Sequence, residues 1–233
     1  MLKTLFMAGL LLGSLPASAA EELRVVKTLP LLEENVLGRW KVAPYAHEGD
    51  VDVRDGVLSI GLGDYLSGVV WKEKPPARTN YEIELEARAG FGSDFLLGLT
   101  VPVGDSYCTW INGGWGNRIV GLSDIDGKSA DDNETTTEMA FKKERWYKFK
   151  IRVLEERIQC WIDGKSVIDV NIKGKRISLR RGKIQQSVPL GISTYDTEGE
   201  FRKITWRTLE RRARQAGPEA PSTEHESGAS PDG

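Results

Sequence analysis

The sequence predicts an all-β fold, a jelly-roll β-sandwich of two antiparallel sheets. Three observations carry that expectation. Residues 145–170 read RWYKFKIRVLEERIQCWIDGKSVIDV, and in them Tyr147, Phe149, Ile151 and Val153 alternate with Lys148, Lys150 and Arg152. A period of two marks a strand with one dry face and one wet face. About a dozen short segments of this kind recur along the chain, separated by Gly and Asp turns, as in sandwiches and jelly rolls. No long segment carries the 3.6-residue apolar stripe of a core helix.

Residues 145–170 organise the rest. Glu155-Glu156 makes a polar turn, after which Ile158, Cys160 and Ile162 resume the alternation. Asp163-Gly164 tolerates positive φ and reverses the chain into residues 166–170. Three consecutive antiparallel strands follow. Their register is pinned, because a slip by one residue would turn Lys148 and Lys150 inward.

Earlier in the chain, residues 21–38 read as an irregular edge lead-in. Trp40 and Val42 begin a short strand, and a hairpin turns at Asp55-Gly56 between Val51–Val53 and Val57–Ile60. Residues 69–71 form another short strand, and Pro75-Pro76 blocks any ladder. In residues 81–89, Tyr81, Ile83, Leu85 and Ala87 face one way and Glu82, Glu84, Glu86 and Arg88 the other. The run DFLLGLTVPV at 94–103 suits a central strand covered on both faces. Residues 106–111 and 118–122 are strands joined by a glycine-rich link. Residues 123–139 read as a long polar loop, 173–183 as a basic segment with some strand, and 188–194 and 201–209 as the closing strands.

Composition sets bounds. The 233 residues are 39% hydrophobic, enough for one domain with ends. A formal charge of −2 argues against a nucleic-acid partner, since phosphates need a cationic surface. Lys3, the apolar run over residues 5–15 and Ala17-Ser18-Ala19 make residues 1–20 a secretory signal. The expected location is therefore secreted or periplasmic, with no membrane insertion after cleavage. Residues 21–210 are the expected sandwich domain. Residues 211–233, poor in large apolar side chains, are an expected disordered tail. Cys108 and Cys160 either pair in an oxidising compartment or are two small buried apolar side chains.

Two histidines, His47 and His225, and the lack of any Cys-x-x-Cys leave little for a zinc site or a Ser-His-Asp triad. Gly61-Leu62-Gly63 and Gly164-Lys165-Ser166 are not phosphate loops, since neither opens a helix. The Glu82, Glu84, Glu86 row reads as the solvated face of a sheet, or as acids acting on a glycoside. Trp110, Asn112, Trp115, Asn117 and Arg118 form a candidate sugar site: indoles stack on the apolar faces of sugar rings, and amides and guanidinium bind hydroxyls. The alternative is a glycine-rich hairpin end with one tryptophan packed on the core. Asp124, Asp126 and Glu134 are further ligand candidates, either as oxygens for Ca²⁺ at Asp124 and Asp126 or as a solvated acidic loop.

With these motifs in view, residues 37–209 resemble the concanavalin-like jelly-roll family of 3-keto-disaccharide hydrolases, or 3-keto-glucoside lyase/hydratases. The resemblance runs through Asp55-Gly56-Val57-Leu58, Gly113-Gly114-Trp115-Gly116, Gly121-Leu122-Ser123, Arg145-Trp146-Tyr147, Trp161-Ile162-Asp163-Gly164-Lys165 and Leu190-Gly191-Ile192. It implies a carbohydrate partner, an oligosaccharide or glycoside. The histidines it would place beside a metal are absent. Three functions follow as expectations: a carbohydrate-binding domain, an active 3-keto-glycoside hydrolase or lyase with unassigned catalytic residues, or a non-catalytic interaction domain. For the active enzyme, Glu82, Glu84, Asp124, Asp126 and Glu134 are the candidate acids and bases. Two carboxylates in one groove with Trp115 would mark that enzyme.

Overall fold

A computed structural model describes residues 23–211. The expected signal at 1–20 and the expected tail beyond Arg211 lie outside the described residues. Within the described residues fifteen strands run in chain order. They are β1 (Leu23–Pro30), β2 (Trp40–Val42), β3 (Val51–Arg54), β4 (Val57–Ile60), β5 (Leu66–Trp71), β6 (Tyr81–Gly92), β7 (Leu97–Val103) and β8 (Ser106–Gly113). Then come β9 (Ile119–Ser123), β10 (Thr137–Glu138), β11 (Tyr147–Val153), β12 (Arg157–Ile162), β13 (Lys165–Asn171), β14 (Gly191–Tyr195) and β15 (Thr197–Arg211). Val25–Glu210 form one compact unit.

The strands make two sheets. The first has the order β13-β12-β11-β6-β15-β4-β3, with β1 beside β15; the second has the order β10-β9-β8-β7-β14-β5-β2. The fold is thus a concanavalin-like jelly-roll sandwich of antiparallel sheets, as the alternation predicts. The β11-β12-β13 meander has the expected register, with Phe149 opposite Ile162 and Ile151 opposite Cys160. Tyr147, Phe149, Ile151 and Val153 are buried, while Lys148 is exposed. Every residue of β7 is buried, in keeping with a strand covered on both sides.

The inner faces meet in one apolar core. Trp110 of β8 packs edge-on against Phe149 of β11, centroids 5.7 Å apart, and so joins the two sheets. Tyr81 stacks on Trp206 at 4.0 Å within the first sheet. Cys108 and Cys160 are free buried thiols in this core. Burial pushes the Cys108 thiol up to about 12. Burial raises Cys160 as well, and the neighbouring Cys108 adds to it.

Two segments depart from expectation. Residues 23–30 are a regular strand rather than an irregular lead-in. Its side chains are mostly exposed, so alternation gives no signal; the following Leu31 is buried and donates its amide to Ile204 O at 2.8 Å. Residues 173–183 form no named strand. Only the bridge of Ile177 to Ile125 gives that segment extended pairing, because it leaves the sheet to cross the second sheet's outer face.

The outer face of the first sheet is a closed set of ion pairs. Arg152 reaches Glu82 at 2.6 Å, Arg202 reaches Glu86 at 2.7 Å, and Arg207 and Lys148 both reach Glu84. The Glu82, Glu84, Glu86 row is therefore a paired sheet face. Partial burial pulls the Glu84 and Glu86 carboxyls upward, but the hydrogen bonds and charges of their cationic partners outweigh it and hold both below the ordinary value of 4.5. A carboxyl that titrates lower when folded stabilises the fold above its unfolded value, and that contribution drains away as pH falls through the folded value. Urea midpoints measured from about pH 7 to about pH 3 should fall below the glutamate range, and Glu84→Gln should flatten the fall. An unchanged slope in Glu84→Gln would contradict this.

Candidate functional site

The outer face of the second sheet is built differently. Along its middle, Gly68 lies opposite Ser193, Ser193 opposite Gly98, Gly98 opposite Ile111, and Ile111 opposite Gly121. The next row carries Thr100, Thr109 and Ser123 in register, with the two threonine hydroxyls 2.8 Å apart. Small residues here are a packing requirement. A Cβ on Gly98 would lie 2.7 Å from Ser193 Oγ and 3.0 Å from the Phe95 ring, and one on Gly121 would lie 2.4 Å from Ala130 O. The face is a low floor on which other side chains rest.

A second apolar cluster rests on it. Tyr45, Leu66, Val70, Phe95 and Ile111 are buried there, with Trp115, Ile184 and Tyr195 packed against them. Leu66 and Val70 are separated by even steps along β5, whereas Val69 and Trp71 belong to the main core. The period of two thus sends alternate residues to opposite sides of one sheet.

The segment after β13 forms a roof. Residues 176–178 zip onto 124–126: Asp124 N donates to Ser178 O at 2.6 Å, Asp126 N to Arg176 O at 2.8 Å, and Arg176 N to Asp126 Oδ1 at 2.8 Å. At the far end, a short 3-10 turn (Lys183–Ser187) is held by a 2.5 Å hydrogen bond between the Ser187 and Tyr45 hydroxyls. Between floor and roof lies a cavity of about 390 Å³. Thr109, Ile111 and Ser123 floor it, Phe95, Trp115 and Tyr195 wall it, and Arg180, Arg181 and Lys183 rim it.

Trp115 is presented by an unusual turn. In Gly114–Asn117, Trp115 (φ 53), Gly116 (φ 76) and Asn117 (φ 60) all take left-handed backbone, following Gly113 at φ 85. That conformation strains a bulky residue by about 1–3 kcal/mol and must be held by its surroundings. Two side chains hold it. Asp94 Oδ2 accepts the Gly116 amide at 2.8 Å, and Asn117 clamps the Phe141 backbone through Nδ2 at 2.8 Å and Oδ1 at 2.9 Å. The indole is half-buried, with the Arg180 guanidinium 5.7 Å from its ring. Tyr195 stands nearby, 5.6 Å from both Phe95 and the exposed Tyr65. Burial first, then the Asp94 charge and further neighbours, raises the Tyr195 phenol, so it stays a protonated donor.

Of the residues proposed from sequence, Trp115 alone lines this cavity. Trp110 is fully buried in the main core and offers no surface to a sugar. The alternation of β8 turns it inward with Cys108. Asn112 is also fully buried; its Nδ2 donates to Leu97 O and Trp110 O, both at 3.3 Å. Asn117 serves the turn. Arg118 points away to Glu138 at 3.5 Å. Asp124 accepts from the hydroxyl of its neighbour Ser123 at 2.7 Å, and Asp126 accepts from the Arg176 amide and so ties two segments together. Glu134 pairs with Lys175 at 2.6 Å on a separate shallow surface. Among the described residues no cluster of three or more His, Cys, Asp or Glu side chains is arranged to hold a metal ion. No helix among them is long and apolar enough to cross a membrane.

Sequence reasoning missed Asp94, Phe95, Tyr195 and the cationic rim. The run Arg180-Arg181-Gly182-Lys183 is visible as a basic segment. Its place above the second sheet depends on the pairing of 176–178 with 124–126, far away in sequence.

Comparison with known proteins places the molecule. The sequence model of the 3-keto-alpha-glucoside-1,2-lyase-like domain matches residues 30–207. No curated protein gives a significant sequence match. Among solved structures, the Crh5 transglycosylase in complex with NAG is similar at TM-score 0.52 and 12% identity, covering 78% of this chain and 83% of that one. A Parabacteroides distasonis protein provisionally classed as a glycosyl hydrolase gives 0.50 and 13%, covering 78% and 94%. The carbohydrate esterase of the Shiga toxin-encoding bacteriophage phi24B gives 0.51 and 9%, covering 82% and 100%. At these identities the likeness is one of fold.

The two tryptophans separate cleanly in a denaturation experiment. Trp110→Ala should cost about 3–5 kcal/mol, as expected for an emptied core site. Trp115→Ala should stay within about 1 kcal/mol, since a half-buried rim side chain is lost and alanine keeps the same strained turn. Equal losses for both would contradict this placement.

Proposed function

The chain belongs to the 3-keto-alpha-glucoside-1,2-lyase-like domain family, and from that membership we propose that it is an exported carbohydrate-binding domain that seats a sugar ring on Trp115. The observation that carries the reading is the cavity in which half-buried Trp115 and Tyr195 stand above the hydroxyls of Thr109 and Ser123. A sugar ring offers an apolar C–H face to an indole, and its edge offers hydroxyls to phenol and alcohol groups. A volume of about 390 Å³ is in the range of small-ligand sites. The Crh5 neighbour, solved in complex with NAG, supports a sugar ligand on this fold. Lys3 and the apolar run over residues 5–15 support export.

Binding is favoured over hydrolysis by the carboxylates. Two-carboxylate glycosidases need a pair on the order of 5–9 Å apart across the scissile bond. Among the described residues Asp94 is the one carboxylate that lines this cavity, and its two oxygens accept the Phe95 and Gly116 amides. Glu82, Glu84 and Glu86 belong to the opposite sheet and face away from it. Tyr195, kept protonated, is a better donor than a base.

The test is a glycan array with a parallel 3-keto-glycoside turnover assay on wild type and Trp115→Ala. Wild type should bind a glycan and leave the 3-keto-glycoside unconverted. Trp115→Ala should weaken binding tenfold or more, about 1.4 kcal/mol. Binding unchanged by Trp115→Ala would remove the site, and turnover by wild type would replace binding with catalysis.

A further inference from the structure

The charge around the cavity is not the charge of the rest of the molecule. The chain carries a formal −2, yet Arg180, Arg181 and Lys183 rim the cavity against the single carboxylate of Asp94. On the first sheet arginines are matched: Arg152 by Glu82, Arg202 by Glu86, Arg207 by Glu84 and Arg88 by Glu200. Among the described residues no carboxylate forms an ion pair with Arg180, Arg181 or Lys183. Asp94, the one carboxylate in the lining, makes no ion pair with them; its oxygens accept the Phe95 and Gly116 amides.

Resting on the sugar site proposed above, we propose that this cavity selects an acidic sugar, one whose ring lies on Trp115 and whose carboxylate or sulfate is gripped by Arg180 and Arg181. Three things support the assignment. An arginine fork matches the two oxygens of a planar anion better than an ammonium does. Arg180 already lies 5.7 Å from the Trp115 ring, so an anionic substituent on a stacked sugar would fall within its reach. The cations sit on a segment fastened at both ends, by the 176–178 zipper and by Ser187 on Tyr45. A roof held this way loses little freedom on binding. Lys183, which donates weakly to Ala46 O at 3.4 Å, adds positive potential from the roof's far end.

The experiment measures binding of an oligomer of galacturonic acid, its carboxyl-reduced neutral counterpart, and that counterpart sulfated. Proteins are wild type, Trp115→Ala and the double variant Arg180→Gln/Arg181→Gln, with thermal melts to verify folding. Wild type should bind the acidic oligomer at least about tenfold more tightly than the neutral one, and the preference should shrink as salt rises from about 0.05 to about 0.5 M. The double variant should lose the preference for the acidic oligomer, while Trp115→Ala should weaken all binding. A preference for the sulfated oligomer over the uronate upholds the inference and assigns sulfate as the anion. Equal binding of acidic and neutral oligomers by wild type, still lost in Trp115→Ala, overturns it and leaves the sugar site standing. No binding of any oligomer also overturns it, and the glycan array then decides the sugar site on its own. The acidic and neutral oligomers differ only in the carboxyl of each ring, so the wild-type comparison decides the matter even if the double variant misfolds.

Discussion

Trp110 meets Phe149 edge to face across the gap between the sheets, and that dry interface constrains everything outside it. Each strand has two faces, and once the inner ones are committed to the core the outer ones are determined residue by residue. Trp110 goes in, so Thr109 and Ile111 go out onto the floor of the cavity. Ile83 and Leu85 go in, so Glu82, Glu84 and Glu86 go out onto the ladder of ion pairs. The interface is apolar burial, worth roughly 25 cal/mol per Å² removed from water, with aromatic edges adding geometry.

The two outer faces have divided their roles. On the first sheet, long charged side chains pair across strands and cover Trp146 and Trp161 with cations: Arg202 lies 3.9 Å from the Trp146 ring and Lys150 lies 4.2 Å from the Trp161 ring. Such a face is satisfied within itself. On the second sheet the floor residues are short, so there is room for a roof, and between floor and roof there is space for a ligand. The strained turn at Trp115, fixed by Asp94 and Asn117, aims one large aromatic into that space.

The sheets were legible in the sequence because their information is local. Tyr147, Phe149 and Ile151 announce their strand, Asp163-Gly164 its turn, and residues 97–103 their double burial. The site was legible only in part. Trp115 stood out among its glycines, but the same cluster gathered in Trp110 and Asn112, which the period of two along β8 turns into the core. Asp124 and Asp126 look like cation ligands from composition; in the fold one oxygen of each accepts from the Ser123 hydroxyl and from the Arg176 backbone amide. Phe95, Tyr195 and Arg180 come from three distant stretches, and no local pattern says that they meet. The strand β1 was missed for a related reason: its side chains are mostly in water, so its sequence has no alternation to read.

The central claim is that ligand is read by the outer face of the second sheet, at Trp115. The most direct measurement is the indole N–H region of a ¹⁵N–¹H spectrum, assigned by substitution and titrated with the glycan that binds best. The Trp115 resonance should move and saturate with the ligand, while those of Trp146 and Trp161 on the first sheet stay fixed. Movement at Trp146 or Trp161 with Trp115 unchanged would put the ligand on the opposite face and contradict the account.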